Sequence, residues 1–161
     1  MGKKGKKAKE KKHDKPVAQN RKARHEFDIS EHIECGIMLW GSEVKSLRNG
    51  RVSLDESYAH MRDDELWLYG CDIPEYSYAN VNNHPTKRPR KLLLHRRELD
   101  RFASRAKEKG LTLVPLKIYF NQRGIAKVLL GLGKGKKLFD KRESLKKKTM
   151  NRDIQRAMRN R

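Results

Sequence analysis

Cysteine is nearly absent from this sequence: Cys35 and Cys71 are the only two, far apart and without a Cys-x-x-Cys partner. That excludes a disulfide framework and a zinc knuckle, and free, partly buried thiols are expected, because an unpaired cysteine behaves as a small hydrophobe. Long apolar runs are missing too. No stretch approaches the roughly 20 residues of a spanning helix, and the Lys-rich start lacks the apolar region of a secretory signal, so a cytoplasmic protein without membrane contact is expected. The six histidines (13, 25, 32, 60, 84 and 95) show no His-Glu-x-x-His spacing, and no local nucleophile signature, Walker loop or dinucleotide fingerprint occurs. The reading is therefore of a protein that is not an enzyme and uses no metal or cofactor.

What the sequence has in excess is positive charge, and it lies at the ends. Of a net +20 over 161 residues, residues 1–25 carry 11 Lys and Arg against two acids, and residues 134–161 carry 12 against three. Each end therefore holds +9, which leaves +2 for the middle. A near-neutral body between two cationic arms suits a polyanion, since each cation set near a phosphate releases condensed counterions. RNA is the first candidate.

Local patterning divides the chain into a disordered basic arm over 1–19, a packed domain over 20–139 and a basic tail over 140–161. Phe27 to Ile29 and Ile33 to Trp40 read as two strands joined by a turn, followed by a short helix over 43–49 capped by Ser42. Tyr58 to Met61 and Glu65 to Tyr69 read as a hairpin turning at Asp63-Asp64. Residues 74–90 are rich in proline and asparagine and read as an extended loop with a basic end. A helix from Arg96 stops at Gly110, and two strands over 111–120 and 125–132 flank Asn121-Gln122-Arg123-Gly124, with Pro115 marking an edge or bulge. The fold class is β-dominated α+β: a small closed antiparallel OB-like barrel with two or three peripheral helices and disordered basic termini. A monomer is expected.

Among the 11 aromatic residues, Trp40, Trp67, Phe102 and Phe120 read as core. Phe139 lies outside any core strand and has two readings, stacking on an unpaired base or peripheral packing. Gly131, Gly133 and Gly135, interleaved with Lys134, Lys136 and Lys137, read as a backbone that RNA phosphates approach closely, ahead of the alternative of a flexible strand end. In the tail, Met150, Ile154 and Met158 form a narrow apolar stripe if helical. It is too thin to hold a free helix, so disorder in isolation and folding on a partner are expected.

Five segments in order, Asn20-Arg-Lys-Ala-Arg-His25, Gly41-Ser-Glu-Val-Lys-Ser-Leu-Arg48, Arg90-Lys-Leu-Leu-Leu-His95, Gly110 to Phe120 and Lys134 to Arg142, resemble the SmpB family, which binds transfer-messenger RNA. The resemblance implies an OB-like barrel that binds the tRNA-like part of that RNA and is delivered with elongation factor Tu to stalled ribosomes. It places RNA-binding positions at Asn20, Glu34, Leu93 and Lys127, with basic support from Arg21, Arg24, Arg90 and Lys91. It also places Phe139, Asp140, Lys141, Arg142 and the Met150–Ile154–Met158 stripe against the ribosome, at the decoding centre and the empty messenger channel. Charge layout alone fits a generic OB-fold RNA binder or a small ribosomal protein equally well; the set of motifs separates the readings. An RNA-modifying or RNA-cleaving enzyme is the third reading, disfavoured by the missing cofactor signatures.

Overall fold

The computed structural model describes residues 16–79 and 83–159. Along the chain come β1 (Pro16–Gln19), α1 (Ala23–Glu26), β2 (Phe27–Ile37), α2 (Gly41–Arg48), β3 (Tyr58–Arg62), β4 (Glu65–Tyr69), β5 (Arg90–Leu93), α3 (Arg96–Lys109), β6 (Thr112–Phe120), β7 (Ala126–Gly135) and α4 (Leu138–Arg159). The strands form one antiparallel sheet ordered β1-β6-β3-β4-β5-β2-β7, and a further β6–β7 pairing returns it on itself as a ring of hydrogen bonds. Inside lie Ile33, Cys35 and Ile37 of β2, Leu66 and Leu68 of β4, and Ile118, Val128 and Leu130 of β6 and β7, with Leu47 of α2 and Phe102 of α3 packed against them.

Several elements follow from local chemistry. Asp63 and Asp64 both take positive φ, 51° and 59°, as a two-residue hairpin turn of the primed type requires, so the β3–β4 hairpin stands where the sequence puts it. Gly110 ends α3 in the left-handed conformation at φ 57° and its N–H returns to the last turn. Chain order at the N-terminus starts earlier than expected. Pro16–Gln19, assigned to a disordered arm, is a strand paired with β6 through Tyr119, Ile118 and Lys117, because Val17 and Ala18 have an apolar surface to pack against.

The largest departure is β2, a single 11-residue strand where two were expected. Its register on β7 shifts between Ile29 and Glu31, and that of β6 on β7 shifts between Pro115 and Lys117. Each bulge inserts one residue and so turns the following side chains to the other face. Before the β2 bulge Phe27 and Ile29 therefore pack outside the ring, in a second small core with Ala23, Val114, Leu116 and Leu129. After it Ile33, Cys35 and Ile37 point inward.

That outer core accounts for two of the glycines read as a phosphate cradle. A Cβ on Gly131 would lie 2.9 Å from Ile29 Cγ2, and one on Gly133 would lie 2.7 Å from Ile29 Cδ1. Both are bare so that Ile29 and Leu116 can lie on them, and the space assigned to phosphates is filled by apolar side chains. Only Gly135 of the three is open.

Two arginines at the basic end of the long loop also turn toward the fold. Arg90 is completely buried, as is Glu43 of α2. Arg90 Nε donates to Glu43 Oε1 at 2.9 Å, while its Nη atoms donate to the carbonyls of Cys71, Arg88 and Thr86 at 2.5, 3.2 and 2.8 Å. Arg88 donates to the two Glu43 oxygens at 2.9 and 2.6 Å, and the Trp40 N–H donates to Oε2 at 2.7 Å. Glu43, third residue of the helix, thus caps its start by accepting from the Trp40 N–H, a role expected of Ser42. Trp40, expected in the core, is 51% exposed and its ring lies under the Arg88 guanidinium, 4.4 Å from ring centroid to Cζ. Nearby, His84 is held between Ser42 Oγ and the Ile73 carbonyl, each 2.9 Å away. Both thiols are free and buried, as expected, and burial pushes them up to about 12 for Cys35 and about 11 for Cys71.

Burial alone would raise the Glu43 carboxyl, but the hydrogen bonds from Arg88 and the Trp40 N–H and the charges of Arg90 and Arg88 outweigh it and hold it below its ordinary value. A carboxyl lowered in the folded state contributes stability that is present above its unfolded value, about 4.3, and is lost as pH falls through the folded one. Glu43→Gln, which leaves Arg90 buried without a counter-charge, is expected to lower stability by roughly 3–5 kcal/mol. It should also flatten the loss of melting temperature between neutral and acidic pH. Thermal unfolding of both proteins from pH 7 to pH 3 checks this, and parallel pH profiles would refute it.

Candidate RNA-binding surface

Strand register brings together residues that lie far apart in sequence. Gly36 of β2 pairs with Leu93 of β5 on one side and Lys127 of β7 on the other, and Lys127 pairs in turn with Tyr119 of β6. Leu93, Gly36, Lys127 and Tyr119 form one row across four strands on the outer face, with Glu34 two residues along β2 on the same face. Alternation along β5 puts Arg90 and Leu92 inside and Lys91 and Leu93 outside. Gly36 lacks a side chain because Leu93 leans over it: a Cβ there would lie 3.2 Å from Leu93 Cβ and 3.6 Å from its Cδ1.

The row is chemically mixed. Leu93 is 47% exposed, an apolar contact facing solvent. Glu34, with half its side chain exposed, pairs with Lys127 at 3.5 Å and accepts a hydrogen bond from the Tyr119 hydroxyl. An ion pair so open to water is worth little, so both partners can exchange each other for groups on a ligand. Tyr119 was not singled out from the sequence, where it reads as one more apolar position of β6. Its ring also carries Lys117, whose Nζ is 4.8 Å from the centroid. Met38, 51% exposed, borders the row, its N–H bonded to the Lys91 carbonyl.

Of the positions expected to bind RNA, Glu34, Leu93 and Lys127 thus converge, whereas two others face inward. The Arg90 guanidinium is enclosed as described, and its four hydrogen bonds serve the fold. Asn20 is 7% exposed: its amide donates to the Leu54 carbonyl at 3.2 Å and its Oδ1 accepts from the Ala23 N–H at 3.0 Å, locking the turn that leads into α1. Lys91 is outside, its Nζ paired with Glu65.

The other expected cations form a separate group. Arg21, Arg24, Lys134 and Lys137 are exposed, and Lys136 ties them together, its N–H bonded to Glu26 O at 2.8 Å and its Nζ to Arg24 O at 3.1 Å. This group stands where Phe27 pairs with Gly135, at the opposite end of β2 and β7 from the Gly36–Lys127 pair. At about 3.3 Å per residue the two groups are roughly 26 Å apart along the strand.

From this second group the chain runs straight into α4. The tail was expected to be disordered in isolation, and the structure draws it instead as a 22-residue helix. Its long, unbranched residues favour that conformation, and Glu143 and Lys147 pair at 3.3 Å in the favourable i, i+4 order. The stripe is bare: Met150, Ile154 and Met158 are 66%, 42% and 74% exposed. Asp140 and Arg142 are exposed on the first turns, and the side chains of Phe139 and Lys141 lie outside the described residues. Among the described residues no cluster of His, Cys, Asp and Glu could hold a metal ion, and no helix is long and apolar enough to cross a membrane.

The family model described as SmpB protein matches residues 17–160. An SsrA-binding protein of Rhodopirellula baltica is 56% identical over 144 residues, covering 89% of this chain and 82% of its own. One from Methylobacterium sp. strain 4-46 is 54% identical over 143 residues, covering 89% and 91%. A solved chain described as "tmRNA-SmpB: a journey to the center of the bacterial ribosome" superposes with a TM-score of 0.65 at 53% identity, covering 77% of this chain and 87% of that one. With the matched segment running from β1 through α4 and relatives more than half identical over nearly all of it, the chain belongs to the SmpB family.

Proposed function

We propose that the chain binds the tRNA-like part of transfer-messenger RNA through the Glu34, Leu93 and Lys127 surface and brings it to stalled ribosomes for trans-translation. The observation that carries this reading is the single outer row: an acceptor, an apolar contact and a cation from three strands, set side by side by register. A carboxylate there accepts from RNA hydroxyls or base amines, a leucine meets a ribose or base face, and a lysine neutralises a phosphate. The relative described on the ribosome supports the setting. Delivery with elongation factor Tu as a monomer in the cytoplasm, with α4 entering the messenger channel near the decoding centre, completes the proposal.

The cationic group of Arg21, Arg24, Lys134 and Lys137 adds sequence-independent affinity at the far end of the body. Binding to the tRNA-like transcript is expected to be tighter than to a mature tRNA, and to weaken with salt with a log–log slope of roughly −0.7 to −0.9 per phosphate contact. Filter binding or anisotropy over a salt series measures both. Equal affinity for the two RNAs at every salt concentration would sink the specific reading.

Glu34→Ala, Leu93→Asp and Lys127→Ala are expected to weaken that binding while the ring stays folded, each lost charged contact costing about 1–3 kcal/mol where its partner is left desolvated. Tyr119→Phe, which frees the Glu34 carboxylate from its hydroxyl donor, should weaken binding less and leave the salt slope unchanged. Melting temperatures serve as the control, and affinity losses that merely track instability would reassign these positions to the fold.

Truncation after Arg142 is expected to leave transfer-messenger RNA binding intact and to abolish peptide tagging on a stalled ribosome. Ile154→Asp with Met158→Asp should do the same, and Lys at both positions separates the stripe from bulk charge. Normal tagging by the Lys version would show that the tail acts through charge alone.

A further inference from the structure

Next to the Leu93 row the outer face of the sheet carries rings that belong to neither apolar core. Tyr58 of β3 pairs in register with Tyr69 of β4, their rings stacked with centroids 5.5 Å apart and 17° between planes. His60 pairs with Trp67 on the same two strands, and Trp67 pairs with Lys91 of β5. The alternate residues of these strands, Ala59, Leu66 and Leu68, are the ones that fill the core. Tyr58 is 49% exposed, His60 is exposed, and Trp67 and Tyr69 are half-buried. An outer strand position asks only for a β-former, so threonine would satisfy the sheet at each of these sites. Rings are scarce in a chain with 11 aromatic residues, and three of them stand here.

We propose that this face is a base-stacking site for unpaired nucleotides of the bound RNA, centred on Trp67 and flanked by the Tyr58–Tyr69 pair. The inference rests on the reading above, in which the RNA lies along Leu93 and Lys127. Leu93 and Trp67 are diagonal neighbours on adjacent strands, roughly 7–8 Å apart, so RNA touching Leu93 reaches the indole without crossing any other element. Charge decides what the face takes from the RNA. Lys91 lies beside Glu65, and Arg62 beside Asp63 at 3.4 Å, so two cations are matched by two acids and the face offers no net positive charge to draw phosphates. The partly exposed rings remain as the recognition element. Stacking is open to every base, and each stacked base contributes affinity that does not depend on salt.

The test uses the full chain with three RNAs: a transcript of the tRNA-like domain, a mature tRNA and a blunt duplex without unpaired nucleotides. Trp67→Thr, which keeps a β-former and removes the ring, is expected to weaken binding to the tRNA-like transcript on the order of tenfold or more. The salt slope and the affinity for the duplex should stay unchanged, and Trp67→Phe should retain most of the affinity. In a Trp40→Phe background, the remaining indole at Trp67 should be quenched by the transcript. Wild-type affinity in Trp67→Thr, an equal loss on the duplex, a changed salt slope or an unquenched indole would each overturn the stacking site while leaving the Glu34, Leu93 and Lys127 reading in place. Conversely, if wild type fails to prefer the tRNA-like transcript over mature tRNA, the functional reading falls. The effect of Trp67→Thr on whichever RNA binds still decides whether this face stacks bases.

Discussion

The buried Glu43–Arg88–Arg90 network is the constraint on which the outer surface depends. A fully enclosed guanidinium is tolerated only where its donors are satisfied, and here one carboxylate and three carbonyls do so. Those partners come from α2, from the segment just after β4 and from the loop leading into β5, so one side chain fixes three segments relative to each other. With Arg90 pinned inside, strand alternation decides the next three residues: Lys91 out, Leu92 in, Leu93 out. The placing of Leu93 beside Gly36, and of Lys91 beside Trp67, is thus set from within. A slip of one residue in β5 would bury Lys91 and Leu93 and put Arg90 in water.

Legibility in the sequence followed the range of the interactions. The β3–β4 hairpin, the stop of α3 at Gly110 and the β6–β7 pair were readable because turn chemistry is local: two aspartates, one glycine, an Asn-Gln-Arg-Gly link. The β2 strand was misread as two because its bulge interrupts the alternation near Ser30, and the reason for the bulge lies about a hundred residues away, where Gly131 and Gly133 leave room for Ile29. The same pair of glycines was misread as open backbone, since a sequence shows a missing side chain without showing what fills the space.

The site divides along the same line. Glu34, Leu93 and Lys127 were named by resemblance to the SmpB family, and nothing in their own neighbourhoods marks them, because what unites them is register between strands distant in sequence. Arg90 entered through the same resemblance, as basic support. Whether an arginine faces a phosphate or a buried carboxylate cannot be told without its partner, and Glu43 lies 47 residues earlier. Asn20 is the same case with an amide, a turn lock in a sequence context that reads as a contact. Tyr119 went unnoticed for the opposite reason: its ring belongs to the strand and only its hydroxyl belongs to the site.

The pairing of Pro16 with Tyr119 fixes where the first cationic segment joins the body. Tyr119 is itself opposite Lys127, so that segment is attached on the flank of the Glu34–Lys127 row. The other cationic segment continues from Gly135, at the far end of the same strand. Arg21, Arg24, Lys134 and Lys137 thus gather at the Gly135 end, while Pro16 enters the sheet beside the Lys127 end, so β1 and the turn after it carry the chain from one pole of β7 toward the other.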